Sequence, residues 1–561
     1  MDGKWVRPWA PSIVEYEGGS QRVFESYVAK NSCLQTPHSS ELPDLERRLR
    51  SITVRIIENP FDPAERLASA KVLLMLQYPE LVIPEVHKVL LLMHLNRKPD
   101  MRSSQHSGGI GLRSALFVLA QALFVARCFS ECITVIQRSI SITSQNGCHR
   151  GHTVSDFLDH LKLKEYAERA LRHEKRYLLQ EDTWRDSGEQ EILQTIRKGD
   201  VKVVAYPWLP EALFRRSENA IQRANNTLEA LSQNKLVIKK SRLSDTLRSY
   251  GQIQHDQDAY GIFAMTDIPA DTKLFLDKTI LCATDGSYRC ATCCADLSLG
   301  ASRFLGKLYC DRNCFRNLRA ACGLGTFYRY EQDLGETVSR PEGFQSFFAD
   351  HDLEETTGKE EIFLFQRALE VVYKSTQRYP GRHPLQTRML NYLTARYHDG
   401  AGASKRFSYT EDVCLRFEFL QKLGVDIFQD ELAEAWVLET LANRIQTNMR
   451  GYSGGNGDDM VAVNTMYAFF NHSCQPNVKS SDSEDEDSAI CVTTTRKIER
   501  GEELYVSYLS DEDLREGHDV REEKLRPWTG GMCLCRKCSR ERRRTERPVS
   551  LYNDENRCPS Q

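Results

Sequence analysis

The sequence predicts a multidomain α+β protein. An α-helical N-terminal region leads into a mainly β domain, which is interrupted by a cysteine-rich module and a helical insertion and closed by a second cysteine group. Three observations predict this. Apolar residues recur at helical spacing from Pro43 to about Asn234, the period becomes strand-like at Leu236-Val237-Ile238, and two cysteine groups flank a helix-rich stretch. At 561 residues the chain exceeds the ~250–300 at which a single core stops growing. The 75 basic and 78 acidic residues leave a net charge of −3, so no global field points to nucleic acid as the main partner. Eighteen cysteines in a long chain read as reduced thiols and metal ligands rather than a disulfide framework. The first residues contain no apolar targeting stretch, and the longest apolar run, 115–126, is shorter than the ~20 residues a membrane crossing needs. A soluble intracellular protein of the nucleus or cytoplasm is expected, with no membrane partner.

Residues 1–42, polar with scattered Pro, Gly and Ser, are expected to be a poorly ordered lead-in. Residues 43–234 read as helical. Leu45, Leu49, Ile52 and Ile56 form one apolar stripe that Asn59-Pro60 ends. Pro63 opens a second helix carrying Leu67, Ala70, Leu74 and Leu76, and a third covers 86–94. Leu119, Ala120, Leu123, Phe129, Cys132 and Ile136 fit a helix–turn–helix unit of tetratricopeptide (TPR) type, although no period of ~34 residues recurs and an ordinary bundle fits equally well. Charged helices follow at 156–179 and 211–234. The region offers a docking surface and no chemistry.

Residues 235–289 hold the first strands, including Asp258-Ala259-Tyr260-Gly261-Ile262-Phe263-Ala264, where one glycine permits close backbone approach. In 290–322, Cys290-x2-Cys293 and Cys310-x3-Cys314 lie ~16 residues apart, as a four-cysteine zinc site requires. Cys294 is an alternative to Cys293, and unliganded buried cysteines are the plainer alternative to a site. Residues 323–463 form a helical insertion: a polar loop over 331–359, a helix over 361–379 with Ile362, Phe365, Leu369 and Val372 on one face, two amphipathic helices within 407–450, and a loop over 451–459. In 464–510, Phe469-Phe470 lead into Asn471-His472-Ser473-Cys474-Gln475-Pro476-Asn477. The acidic stretch 480–488, with Asp482, Glu484, Asp485, Glu486 and Asp487, is a solvated loop or an attractor of basic peptide. Strands follow at 490–494 and 503–508. In 511–540 a charged helix precedes Cys533-Leu534-Cys535-Arg536-Lys537-Cys538; this C-x-C-x2-C run is one ligand short of tetrahedral zinc, and Cys474 supplies the fourth. Residues 541–561 form a basic tail with a weak signal for nuclear import or nucleic-acid contact.

The order Tyr260-Gly261, Asn471-His472-Ser473-Cys474, Glu503-Leu504-x3-Tyr508 and C-x-C-x2-C resembles the SET-domain protein lysine methyltransferases. The likeness covers about residues 236–540 and is greatest to the SET-and-MYND branch and its fungal relatives. It implies two zincs and S-adenosylmethionine (SAM) as cofactors, and a histone or another protein as substrate. It places Tyr260 and Gly261 near the methionine part of SAM, the Asn471 side chain on its amino-acid end, and the His472 backbone on its adenine. Trp528 covers the cofactor, since Gly531-Met532 stand where relatives carry an aromatic. Ala259 stands in the first glycine's place and is accommodated where its φ is negative. Cys290, Cys293, Cys310 and Cys314 become a truncated, single-zinc MYND-like finger that can dock partners; Cys474, Cys533, Cys535 and Cys538 become a post-SET zinc site; the insertion forms a wall of the substrate groove. Tyr508 is the implied catalytic residue, with Tyr505 its competitor. Methyl transfer to a neutral lysine needs alignment above all, which removes ~7–11 kcal/mol of barrier, and a phenol oxygen provides it. A catalytically silent SET scaffold is the alternative. A zinc-dependent DNA-binding regulator would need a basic recognition helix beside the fingers.

Overall fold

A computed structural model describes residues 37–95, 108–145, 154–178, 198–241, 259–284, 289–322, 359–394, 404–453, 459–482, 487–529 and 533–545, with a few single-residue and short gaps inside them, together with Val28, Leu34 and Gln35. Most of the expected lead-in, most of the 331–359 loop, the centre of the acidic stretch and the end of the basic tail lie outside the described residues; within the lead-in, Val28 and Leu34 are buried and Leu34 O accepts from Gln77.

Six helices open the chain: α1 (Leu42–Glu58), α2 (Pro63–Met75), α3 (Pro79–Leu95), α4 (Gly108–Val125), α5 (Phe129–Gln145) and α6 (Val154–Leu178). Each packs on the next in chain order. α1 buries Leu45, Leu49 and Ile52, one face of a 3.6-residue repeat. Asp62 caps α2, accepting from the Ala64 N–H at 2.8 Å, and Pro63 takes the first helical position. The α2–α3 and α4–α5 turns are alike. Gln77 (φ 66°) and Arg127 (φ 61°) are left-handed, and the following N–H groups of Tyr78 and Cys128 close onto Leu73 O and Leu123 O. These equivalent turns sit fifty positions apart, a longer spacing than the ~34 residues of a tetratricopeptide.

Strand β1 (Gly199–Lys202), a short helix (Glu211–Phe214) and α7 (Glu218–Ser232) follow. The expected single helix over 211–234 is therefore broken, with Ser217 Oγ accepting from the Ala220 N–H at the restart. Then come β2 (Leu236–Lys240), β3 (Tyr260–Ala264), β4 (Lys273–Asp277), β5 (Cys282–Thr284), β6 (Ser302–Phe304), β7 (Lys307–Tyr309), α8 (Arg312–Cys322), α9 (Lys359–Arg378), β8 (Ser404–Phe407), α10 (Leu415–Lys422) and α11 (Ala435–Asn448). The final elements are β9 (Arg450–Ser453), β10 (Asp459–Ala462), β11 (Asn471–His472), β12 (Val478–Asp482), β13 (Ile490–Thr494), β14 (Glu503–Val506), α12 (His518–Thr529) and α13 (Arg536–Thr545). None of the described helices is long and apolar enough to cross a membrane.

The chain divides into two compact units. The first contains Met1–Gln222, Asp277–Thr465 and Asp482–Ile490. Within it the helical insertion packs on the N-terminal helices. β1 pairs antiparallel with β8, Arg66 donates to Phe428 O at 2.7 Å, and the Glu131 carboxylate accepts from the Tyr409 and Thr410 N–H groups. β1 and β8 were not expected; four residues each, they carry too little periodicity to read. Residues 451–453, expected in a loop, belong to the three-stranded sheet β5-β10-β9, where pairing with β10 outweighs the glycine-rich composition. Asp487 and Ser488, expected in a solvated loop, are buried: Asp487 pairs with Lys278, and Ser488 donates to Thr279 O.

The second unit contains Arg223–Leu276, Met466–Ser481 and Cys491–Gln561. Its mixed sheet runs β11-β14-β3-β2, and β12, β13 and β4 form a second sheet. Ile238, Ile262, Leu504 and Val506 fill the core, and Phe275 stacks on Phe470 at 6.0 Å.

Candidate cofactor and metal site

The short strand β11 runs parallel to β14, with Asn471 opposite Tyr505 and His472 opposite Val506. Asn477 holds this register. It is buried, accepts the Tyr505 N–H at 2.7 Å, and donates to Glu503 O and to the Glu502 carboxylate. The Pro-Asn turn thus ties the Asn-His segment to the last strand.

Beneath it lies a buried carboxylate that sequence reasoning missed. Glu503 accepts from Ser241 Oγ (2.6 Å), Asn471 Nδ2 (2.9 Å) and the Tyr505 hydroxyl (2.8 Å). Three charge-assisted bonds offset the cost of burying the charge. A Cβ on Gly261 would stand 2.2 Å from Glu503 Oε1 and 3.0 Å from Asn471 Nδ2. Glycine is required here by the carboxylate, a reason different from the expected approach to a cofactor. The available signal was the Glu502-Glu503 doublet: on a strand the two point to opposite faces, so one is turned inward.

Asn471 also donates from Nδ2 to Tyr260 O at 3.1 Å. With both amide protons committed, its Oδ1 faces the other way and presents an acceptor suited to an ammonium group. His472 Nδ1 lies 3.0 Å from the Tyr508 N–H and accepts from it, which leaves the ring proton on Nε2, 3.2 Å from Cys474 Sγ. The His472 side chain therefore links the Tyr508 backbone to a thiol, in addition to whatever its backbone holds. The Tyr508 hydroxyl donates to Phe470 O at 2.7 Å, so its proton is committed and the oxygen can act only as an acceptor. The Tyr505 hydroxyl is spent on Glu503. Trp528 lies on α12, and its side chain falls outside the described residues.

All eight expected cysteine ligands are brought together as two groups of four. In the first, within the first unit, Cys310 Sγ lies 3.3–3.6 Å from the sulfurs of Cys290, Cys293 and Cys314, and Cys314 lies 3.8 Å from Cys293. In the second, Cys474 lies 4.0 Å from Cys533 and 3.5 Å from Cys538. Tetrahedral zinc with 2.3 Å bonds separates its sulfurs by about 3.8 Å, so both groups fit such an ion. Cys294, the alternative ligand, is outside the cluster and packs with Cys282, Tyr452 and Met460. Within each cluster the thiols share protons: their mutual bonds pull Cys290 and Cys535 strongly down and Cys538 to about 7, and push Cys293, Cys314, Cys474 and Cys533 up. Arg521, buried, donates to Cys538 Sγ at 3.6 Å and pairs with Glu541. With His472 it supplies positive or donor character around a thiolate-rich centre.

Residues 259–509 match the family model of the SET domain. This stretch is similar to a SET domain. No curated protein matches the chain. The matched stretch takes in Gly261, the first cysteine cluster, Asn471, Glu503 and Tyr508; the cysteines at 533–538 follow it. SET domains are mostly protein-lysine methyltransferases, which use SAM on protein substrates, and some serve as scaffolds.

Proposed function

We propose that the protein is a SAM-dependent protein-lysine N-methyltransferase acting inside the cell on a histone or another protein. The observation that carries this reading is the pairing of β11 with β14, which fixes Asn471, His472 and Tyr508 in one hydrogen-bonded constellation. SAM, when bound, supplies a methyl group on a sulfonium. Asn471 Oδ1 would hold the ammonium end of that cofactor, and the Tyr260-Gly261 backbone lies beside it through the Asn471–Tyr260 bond. Tyr508 would orient the lysine amine with an oxygen whose own proton is given to Phe470 O. The substrate amine must be neutral, so turnover rises with pH toward the ordinary lysine pKa of about 10.4. The second cysteine cluster would hold a zinc that anchors the tail to β11; the first would hold a zinc in a MYND-like finger, with the TPR-like helices as docking surface.

The test is transfer of labelled methyl from SAM to core histones, with lysine as the labelled residue. Absence of transfer alongside calorimetric SAM binding would move the assignment to another protein substrate. Absence of both would leave the scaffold.

A further inference from the structure

Helix α13 (Arg536–Thr545) separates its side chains by face. The inward face is fully engaged within the second unit. Lys537 Nζ donates to Leu514 O at 3.0 Å, Cys538 belongs to the metal cluster, Glu541 pairs with Arg521, and Arg542 reaches Cys533 O at 3.1 Å and Glu522 at 3.6 Å. The outward face carries Arg536 and Arg540, both exposed and one helical turn apart. Neither has an ion-pair partner among the described residues. Arg543 and Arg544 occupy the next turn of the same helix.

Nothing among the described residues accounts for this arrangement. Like charges four apart repel along a helix, and Arg536 opens the helix, the end where its dipole disfavours a cation. The single acid on the helix, Glu541, is turned inward and used by Arg521. Residues 536–545 contain no Leu, Ile, Val, Phe or Trp, so the helix lacks the apolar face that membrane insertion needs. The cationic residues are mostly arginines, whose planar fork matches phosphate oxygens. They are spaced along an axis and do not converge on one point, so they suit phosphates in a line better than a single phosphorylated side chain. The net charge of −3 averages this row away.

We propose that the outward arginine row of α13 binds the phosphate backbone of duplex nucleic acid, irrespective of base sequence. It does not rest on the methyltransferase reading. The experiment is fluorescence anisotropy of the full, zinc-loaded chain with two short labelled duplexes of unrelated sequence, between about 50 and 200 mM salt. Both duplexes should bind with similar affinity. In the Arg536→Ala/Arg540→Ala variant the slope of log affinity against log salt should fall by about 2, since each phosphate contact contributes ~0.9. Arg536→Lys/Arg540→Lys should retain most of the slope. Unchanged zinc content and far-UV circular dichroism would establish that both variants fold. Three results would each overturn the proposal: no duplex binding by the parent chain at low salt, an unchanged slope in the alanine variant, or binding to anionic vesicles or a polyglutamate peptide as strong as to duplex.

Discussion

Cys290, Cys293, Cys310 and Cys314 come from one turn, one hairpin and the start of one helix, whereas Cys474 meets Cys533 across 59 positions. The two clusters offer the same four sulfurs and differ in what they close. The ligands of the first lie close in sequence. Its supports are partly local, the Cys314 N–H to Asp311 and Thr292 Oγ to Cys314 O, and partly distant, the Ser488 N–H to Cys293 O and Arg367 to Ala291 O. The second joins the end of β11 to the tail, and its supports are the ring of His472 and the guanidinium of Arg521. Tyr508 packs against this second cluster. Closing a long loop costs more chain entropy than closing a short one, so more of the fold depends on the metal there.

The sharpest way to break this contrast is to remove one thiol from each cluster. Cys535→Ser should lower methyl transfer more than about 100-fold and release the tail to protease, because structural zinc contributes ~10–16 kcal/mol. Cys314→Ser should cost one zinc per chain by metal analysis and leave transfer within about tenfold. Equal losses from both would erase the distinction. Next in size, Tyr508→Phe should reduce kcat by about 10²–10³ with both zincs retained, which separates the phenol's role from that of the metal beside it. Tyr505→Phe should instead lower stability to urea by about 1.5–3 kcal/mol, the worth of a bond to a buried charge. Arg521→Met should weaken zinc at the second cluster alone by about 10–100-fold, read by chelator competition. A further test concerns the first unit. Burial, with Lys88 nearby, pushes the His87 imidazole down to about 3, so the folded chain keeps it neutral where the unfolded chain is protonated. Its contribution is complete above pH 6.5 and falls by about 1.4 kcal/mol per unit as the pH drops from there toward 3. His87→Gln should flatten that part of the thermal-stability profile without altering zinc at the second cluster.

The local parts of this molecule were legible in the sequence because short spacings encode them. Leu45, Leu49 and Ile52 reveal α1, alternation reveals β13, and the paired cysteines reveal the first cluster. Cys474 was recoverable only because the other three ligands left a tetrahedral site incomplete. What remained hidden depends on distant partners. β1 and β8 are four residues each and gain meaning only from one another. Asp487 looks like one more acid in an acidic run until Lys278 is placed beside it. Glu503 looks like an ordinary turn-flanking glutamate until Ser241, Asn471 and Tyr505 converge on it.

That convergence limits how this protein can diverge. The space a side chain would need at position 261 is filled by the Glu503 carboxylate. Among descendants of this chain, a larger residue at 261 can become established only alongside a shorter one at 503. Such a change would strip Asn471 of one of the two acceptors that orient it. The two positions should therefore change together or stay fixed, and a library randomised at both and selected for folding should recover glycine with glutamate far more often than either alone.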